Sequence, residues 1–232
     1  TQNAALIIAR ECEYWGKAVD WSEVGEDADY CDQLVENGDG AVQPRWTLNC
    51  ILDDFLSWED CRDALGSACG AWFYARPDGK VGFKVGRWIE PTITLTDTDF
   101  LEIRIANKEY GPDVPGEFVV NYTDANGRYL EAQSGAYVVE ANGRRHKEDL
   151  VPIDNHYQAI VVAKLISREM RPLYTVAGTI RLIGFEVIGQ RFVRVSHAGL
   201  GRDITVEVTS LEMNSDGLTF AFEGRYAEAA DY

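Results

Sequence analysis

Beyond Gly70, apolar and polar residues of this 232-residue chain alternate with a period of two, and this feature most constrains its fold. Alternation over four to eight residues indicates a half-buried β-strand. The clearest example is the pair of runs 71–76 and 80–85, which Pro77-Asp78-Gly79 joins in the pattern of a β-hairpin. A chain dominated by such runs must bury its sheet faces against one another or against a few helices.

Further strands are predicted by similar runs that lie between turn-forming residues. They are residues 91–95, 117–122, 128–132, 175–183, 185–188, 190–196, 203–212 and 218–225. The last five follow one another closely. Several short strands and one packed helix predict a small closed or nearly closed barrel, because closure removes exposed strand edges.

Three segments have the three-to-four-residue periodicity of amphipathic helices. The first follows Asn3, a residue type that caps helices well. The second begins at Ser57 with a capping-box pattern, and Gly70 ends it. The third follows Asn155 and ends before Pro172, since the residue before a proline disfavours the helical conformation.

Together these patterns predict a β-rich α+β protein with two domains. We expect an α/β domain of helices and a hairpin in residues 1–90, and a β-barrel domain with one packed helix in residues 91–232. The chain begins at Thr1 rather than at Met, so we expect either a segment of a longer protein or a processed one. No apolar run approaches the roughly 20 residues of a membrane span, and no signal-peptide pattern is present.

The charge of the chain argues against nucleic-acid binding. Thirty-eight acidic and 22 basic residues give a formal net charge of −16, which repels a phosphate backbone. No cation occurs between Lys17 and Arg45, and the main interpretation of this stretch is a solvated acidic loop, with a metal site or a basic partner as the alternative. Its carboxylates are Asp20, Glu23, Glu26, Asp27, Asp29, Asp32, Glu36 and Asp39.

Residue spacings typical of active sites are absent from the sequence. The three histidines, His146, His156 and His197, lie far apart and outside any metal-ligand motif. Glycines 38–40 and 199–201 lack the Lys-Ser/Thr of a phosphate loop. We therefore predict no catalytic, cofactor-binding or metal-binding residues and no enzymatic activity.

The five cysteines are odd in number and contain no C-x-x-C pair, which favours reduced, buried thiols over disulfides or a zinc site. Cys50 or Cys69 could act as a nucleophile only if folding brought a histidine to it. The complete set is Cys12, Cys31, Cys50, Cys61 and Cys69.

An alternative function follows from the tryptophans and carboxylates, because glycosidases use two carboxylates beside aromatic platforms. Trp58 and Trp72 fit buried faces of a helix and a strand, which favours a role in the core. Trp21 and Trp88 lie nearer to loops and are compatible with either role. This alternative is a carbohydrate-binding or peptidoglycan-cleaving module.

Four motifs follow one another in an order that carries a family resemblance: Arg45-Trp46-Thr47-Leu48-Asn49-Cys50-Ile51-Leu52-Asp53, Ala68-Cys69-Gly70, Trp72-Phe73-Tyr74 and Asp78-Gly79-Lys80. This succession resembles the central region of siphophage tail-tip hub proteins, a family that includes the tip attachment (host-specificity) protein of lambda-like phages and the hubs of gene transfer agents. The similarity continues through residues 93–97 and 118–124 and into the predicted helix 156–170. Cys50 stands where the family pattern has glycine.

The resemblance implies a virion structural protein at the tip of a phage or phage-derived tail, made in the host cytoplasm. It implies a trimeric baseplate hub whose barrel-like domains continue the tail tube with pseudo-sixfold symmetry, for host attachment and DNA delivery. The implied partners are the distal tail protein, the tape measure protein and small tail-assembly proteins. A hypothesis follows for the acidic excess: part of it lines the tube, where like charge keeps passing DNA from sticking. The carbohydrate module carried by a tail and a monomeric bacterial adhesin are the competing interpretations.

Overall fold

The computed structural model describes residues 1–50, 57–107, 110, 113–141, 143–215 and 217–232, which form two compact units. The first unit contains Thr1–Arg87 and Pro112–Ser167, and the second contains Trp88–Gly111 and Arg168–Tyr232. The chain thus leaves the first unit near residue 90, returns to it, and leaves again. This arrangement differs from the two consecutive segments, 1–90 and 91–232, expected from the sequence.

The structure contains helices where the sequence predicted them and one long helix that it did not predict. α1 begins after Asn3, whose side chain accepts a hydrogen bond from the backbone N–H of Leu6. The predicted capping box of Ser57 and Asp60 is present at the start of α3. Gly70, with φ of +61°, ends that helix as expected. The α-helices are α1 (Ala4–Tyr14), α2 (Trp21–Cys31), α3 (Trp58–Cys69), α4 (His156–Met170) and α5 (Gly184–Val187).

The acidic stretch is a helix, α2, and the expectation of a solvated loop is wrong for residues 21–31. Asp20 caps the helix by accepting a hydrogen bond from the backbone two residues later. Only Val24, Ala28 and Cys31 provide apolar side chains on its buried face, and Asp27 is buried among them. This face has too few apolar positions for the three-to-four-residue periodicity of a helix to be recognised in the sequence.

The strands, in chain order, are β1 (Leu34–Glu36), β2 (Val42–Pro44), β3 (Trp72–Ala75), β4 (Val81–Lys84), β5 (Thr94–Thr96), β6 (Phe100–Asn107), β7 (Glu117–Asp124), β8 (Leu130–Gln133), β9 (Tyr137–Val138), β10 (Arg145–Asp149), β11 (Tyr174–Ile180), β12 (Phe192–Ser196), β13 (Ile204–Met213) and β14 (Phe220–Tyr226). The predicted hairpin is β3–β4. Residues 185–188, predicted as a strand, instead belong largely to the short helix α5, because so short an apolar run has no readable period.

The first unit contains α1 to α3, most of α4 and three small sheets. Two of these sheets are the antiparallel pairs β1–β2 and β3–β4. The third has the order β10-β7-β8, with β9 also paired to β7, and β10 runs parallel to β7. β8 begins later than predicted, because Arg128 and Tyr129 continue the preceding turn with φ of 62° and 58°.

The second unit contains one six-stranded sheet with the order β5-β12-β13-β14-β11-β6, curled into a half-barrel. One face of this sheet holds an apolar core that includes Val176, Val206, Phe220 and Phe222, all at most 2% exposed. The β-rich α+β fold predicted from the sequence is confirmed. None of the helices in the described part of the chain has the length and apolarity needed to cross a membrane.

Candidate assembly surfaces

The segment 45–50, which carried part of the resemblance, lies in a buried hydrogen-bond network of the first unit. The backbone N–H and Oγ1 of Thr47 both donate to Gln158 Oε1, at 3.1 and 3.2 Å. Gln158 Nε2 in turn donates to the carbonyl oxygens of Thr47 and Ala68, both at 2.8 Å. Gln158 therefore connects the segment to the end of α3 and to α4, on which it lies.

The neighbouring residues of the segment are also structural. The indole Nε1 of the buried Trp46 donates to the carbonyl of Gly86 at 2.9 Å. Asn49 Nδ2 donates to Asp154 Oδ2 at 3.1 Å. Burial raises the pKa of the Cys50 thiol, which disfavours the reactive thiolate. Residues 51–53 of this motif lie outside the described residues.

The carboxylates of α2 pair with cations of the β3–β4 hairpin and the residues that follow it. Arg76 lies 3.3 Å from Asp20 and also contacts Glu23. Arg87 Nε lies 3.2 Å from Asp27 Oδ1. Burial raises the pKa of Asp27, although Arg87 and Lys84 oppose the shift. Part of the acidic stretch is thus neutralised within the first unit.

A buried ion cluster lies in the second unit, next to the end of the chain. Glu207 accepts hydrogen bonds from Arg191 Nε and Arg225 Nε, both at 2.8 Å. Arg225 also donates to Glu169 at 2.9 Å. Burial acts to raise the pKa of Glu207, but the two guanidinium groups outweigh it and hold the pKa below its usual value. Burial also raises the pKa of Tyr232, whose hydroxyl lies 3.5 Å from Arg191.

The face of the six-stranded sheet opposite its apolar core is exposed and acidic in two rows of β6, β11, β14 and β13, whereas the next row, with Arg225 and Glu207, belongs to the buried ion cluster. Register pairs Glu102 with Thr179, Thr179 with Ala221 and Ala221 with Glu212, so these side chains share one face. The next row contains Arg104, Ala177, Glu223 and Ser210. We call Glu102, Arg104, Glu212 and Glu223, all of them exposed, the acidic face.

One end of the same sheet exposes apolar side chains. Phe220 is in register with Ile180 and Met213 at this end, and its ring lies 4.8 Å from that of Phe185. Leu182 is in the connection that leads into α5, and Leu218 is in the β13–β14 hairpin. Clustered exposed apolar residues often mark a contact with another chain. We call this set the apolar end: Leu101, Leu182, Phe185, Met213 and Leu218, each between 51% and 61% exposed.

An open groove of about 440 Å³ lies on the β10-β7-β8 sheet of the first unit. Tyr129, 64% exposed, contributes an aromatic wall. Asn121 Nδ2 donates to Asp149 Oδ1 at 2.5 Å, which orients both side chains. We call this feature the β7 groove, and its lining residues are Asn121, Tyr122, Thr123, Tyr129, Glu131, Asp149, Leu150 and Val151.

The three histidines lie in separate places and each has its own partner. His146 Nε2 is 3.1 Å from Glu148 Oε2, and His156 Nδ1 is 3.2 Å from the hydroxyl of Tyr122. His197 contacts Asp97. Among the described residues, no group of three or more histidine, cysteine, aspartate or glutamate side chains is placed to hold a metal ion.

The tryptophans that motivated a sugar-binding function are engaged in local contacts. Trp58 packs edge-on against Phe73, at a ring distance of 6.4 Å, and Trp72 stacks on Tyr74 at 5.0 Å. Trp88 packs on Phe192 at 4.7 Å. Trp21 is 47% exposed, and its indole N–H donates to Glu13. The aromatic residues that line the described groove are Tyr122, which is buried, and Tyr129, which is exposed.

Cys69 and the two glycine clusters also have structural roles. Cys69 Sγ donates to the carbonyl of Leu65 inside α3. Gly38 and Gly40 lie in the loop between β1 and β2, and residues 199–201 lie in and after a 3-10 turn, Ala198–Leu200. These positions fit turn-forming roles.

No protein-family model matches this chain, and no curated protein matches it in sequence. The fold is similar to that of two solved structures. A chain of the virion of a native gene transfer agent particle is similar with a TM-score of 0.67 and 16% identity, over 98% of this chain and 48% of that one. The tail protein from Neisseria meningitidis MC58 is similar with a TM-score of 0.54 and 15% identity, over 96% of this chain and 66% of that one.

The present chain thus spans about half the length of the gene transfer agent chain that it matches. The resemblance to tail proteins predicted from the sequence motifs is confirmed at the level of the fold.

Proposed function

We propose that this chain is a structural, non-enzymatic component of a phage or phage-derived tail. In this proposal the six-stranded sheet of the second unit forms part of the wall of the tail tube. The observation that carries the proposal is the two-sided sheet: one face is packed with apolar side chains, and part of the opposite face is the exposed acidic face. The similarity of fold to the gene transfer agent virion chain and to the tail protein supports it.

The acidic face suits the lumen of a tube through which DNA passes. Three glutamates and one arginine give it a net negative charge, and like charge keeps a phosphate backbone from binding to the wall. Short polar side chains, Thr179 and Ser210, lie on the same face. A lumen needs such a surface because adhesion of DNA would slow its passage.

The finer proposal is a trimeric hub at the tail tip that takes part in host attachment and DNA delivery. Its partners would be the distal tail protein, the tape measure protein and small tail-assembly proteins. The apolar end supports self-association, because a cluster of large apolar side chains exposed to water favours burial against another subunit. The partner that we propose for the apolar end is a second copy of this chain.

Light scattering after size exclusion tests this proposal. We expect the chain to have three times its 25.9 kDa mass. The double variant Leu182→Asp/Leu218→Asp should be monomeric, since it places charges in the apolar contact. The matched control is Leu34→Asp/Val42→Asp, which alters two apolar residues of the first unit that are at least as exposed and should stay trimeric.

Two outcomes would contradict the proposal. A wild-type chain that is monomeric over its accessible concentration range would rule out the trimer. A trimer that persists in the Leu182→Asp/Leu218→Asp variant would remove the apolar end from the contact. Incubation with purified cell-wall glycans tests the absence of enzymatic activity, because a peptidoglycan-cleaving module would release soluble fragments.

A further inference from the structure

We propose that the β7 groove is a binding site for a neutral saccharide of one or two rings. This property is independent of the proposed tube-forming function, which rests on the second unit. The groove belongs to the first unit and is formed by β7, β8, β10 and the residues that follow β10. Its volume of about 440 Å³ is in the range of roughly 300–1,000 Å³ that is usual for small-ligand sites.

Tyr129 provides the aromatic surface that a sugar ring needs. Its side chain is 64% exposed and lines the groove. An exposed tyrosine combines a flat apolar ring with a polar tip, so it can contact the C–H face of a sugar while its hydroxyl stays in water. Leu150 and Val151 add apolar surface to the same groove.

The backbone holds Tyr129 in place before any ligand arrives. Its N–H donates to the carbonyl of Asp124 at 2.8 Å, and the N–H of Gly127 donates to the same carbonyl at 3.1 Å. Among the residues that the structure describes, Arg128 and Tyr129 are the non-glycine residues with positive φ. Such backbone conformations cost about 1–3 kcal/mol and concentrate at functional sites.

The polar lining matches the hydroxyl groups of a sugar. Thr123 and Glu131 face each other across β7 and β8, and Asp149 is on the neighbouring strand β10. Carboxylates accept hydrogen bonds from sugar hydroxyls without needing a charged ligand.

The same lining argues against other classes of ligand. Its formal charges come from Glu131 and Asp149, so a phosphate or another anion would be repelled. No three metal-ligating side chains come together anywhere in the described ranges, which argues against a bound cation. A basic peptide is the competing ligand, because its cations would meet the carboxylates and pack on the ring of Tyr129. The trilysine arm of the titration distinguishes it from a neutral polyol ring.

Saturation-transfer NMR and isothermal titration calorimetry on the full chain test the proposal. The probes are N-acetylglucosamine disaccharide, maltose and a trilysine peptide. We expect at least one saccharide to bind and Tyr129→Ala to weaken its affinity by about tenfold, as the loss of an aromatic contact predicts. Tyr129→Phe should retain the affinity, because it retains the ring. The matched control is Tyr14→Ala, which removes a tyrosine that is 71% exposed on α1 and should leave binding unchanged.

Three results would overturn the proposal: no saturation transfer from either saccharide at millimolar concentration, equal affinity of wild type and Tyr129→Ala, or binding of trilysine alone. Glu131→Gln provides a second variant at an exposed position where misfolding is not a concern, and it should weaken saccharide binding while Glu36→Gln on β1 should not. The light-scattering mass of each variant distinguishes this site from the tube-forming function, since Tyr129→Ala should leave the oligomeric state unchanged.

Discussion

Gln158 makes use of both ends of its side-chain amide in the core of the first unit. Its oxygen accepts from the backbone and the hydroxyl of Thr47, and its nitrogen donates to two carbonyl oxygens, those of Thr47 and Ala68. The side chain is only 2% exposed. A buried glutamine of this kind holds together three chain segments that are distant in sequence, because each of its bonds replaces one that water would otherwise make.

The first prediction concerns Gln158→Leu, which keeps the approximate volume but removes all of these bonds. The variant leaves the polar groups of Thr47 and the carbonyl of Ala68 buried without this partner. We expect its free energy of unfolding to fall by about 3–5 kcal/mol, at about 1–3 kcal/mol for each unsatisfied group. Urea denaturation followed by circular dichroism measures the loss. The control Gln33→Leu, at an exposed position, should change stability by less than about 0.5 kcal/mol.

The second prediction concerns the charge of Glu207. The pKa of Glu207 is lowered in the folded chain, so its ionisation stabilises the fold above the unfolded-state pKa of about 4.3, and this contribution is lost as the pH falls through the folded-state pKa. Glu207→Gln leaves Arg191 buried without its carboxylate and should cost about 3 kcal/mol at pH 7.

Unfolding measured between pH 3 and pH 7 checks the sign of this effect. The difference in stability between wild type and Glu207→Gln should be constant above about pH 5 and should shrink below about pH 4, because the unfolded wild-type chain then binds a proton at Glu207 that the folded chain does not. A difference that grows on acidification would contradict the ion-cluster interpretation. Glu102→Gln, on the acidic face, is the exposed control and should show little difference at any pH.

At the scale of elements, the pairing of β11 with β6 depends on the absence of a side chain at Gly178. A Cβ atom built there would lie 2.2 Å from the carbonyl oxygen of Glu102, which is closer than any real contact. The neighbouring register shift between Thr179 and Ile180 places Phe100, rather than Leu101, opposite Ile180. Close approach and an irregular register thus occur together at this point of the sheet, as glycines and bulges do in strongly bent sheets.

The third prediction compares two glycine-to-alanine substitutions. Gly178→Ala should displace β6 from β11, reduce stability by at least about 2 kcal/mol and increase the hydrogen exchange of β6 amides. Gly25→Ala should have the opposite sign, because Gly25 lies inside α2 with open space around its Cβ position. Alanine favours the helix there by about 0.5–1 kcal/mol. Equal effects of the two substitutions would show that packing at Gly178 is not the cause.

At the scale of the whole molecule, the net charge of −16 is unevenly distributed. In the first unit, carboxylates of α2 meet Arg76, Lys84 and Arg87 at short range. In the second unit, the buried Glu207 is matched by two arginines. The acidic face has three glutamates and one arginine, so it retains a negative charge that can act on other molecules.

The fourth prediction follows from this distribution. Wild-type protein should not bind double-stranded DNA in filter-binding or anisotropy measurements at about 50 mM salt. The triple variant Glu102→Lys/Glu212→Lys/Glu223→Lys should bind it, and its affinity should fall steeply as salt rises. A control with the same change in charge, Asp29→Lys/Asp32→Lys/Glu36→Lys in the first unit, should bind DNA more weakly because those residues do not share a sheet face. Equal binding by the two variants would indicate that only net charge matters.

The sequence by itself determined the type of most elements. Asn3 and Ser57 mark helix starts through short-range hydrogen bonds, and Pro77-Asp78-Gly79 specifies a hairpin through its turn geometry. The order of motifs also pointed to the tail-protein fold that the structure shows. These features are local, or follow one another along the chain, so they can be read without knowledge of three-dimensional contacts.

Only the tertiary structure decided which strands pair and which faces are exposed. Neither β6 nor β10 was predicted as a strand. Their alternation can be recognised only when they are known to lie beside β11 and β7. α2 was not predicted either, because its buried face includes a charged residue, Asp27, which is buried beside Arg87. The acidic face and the β7 groove arise from residues distant in sequence, because sheet register is set by long-range packing that local periodicity does not contain.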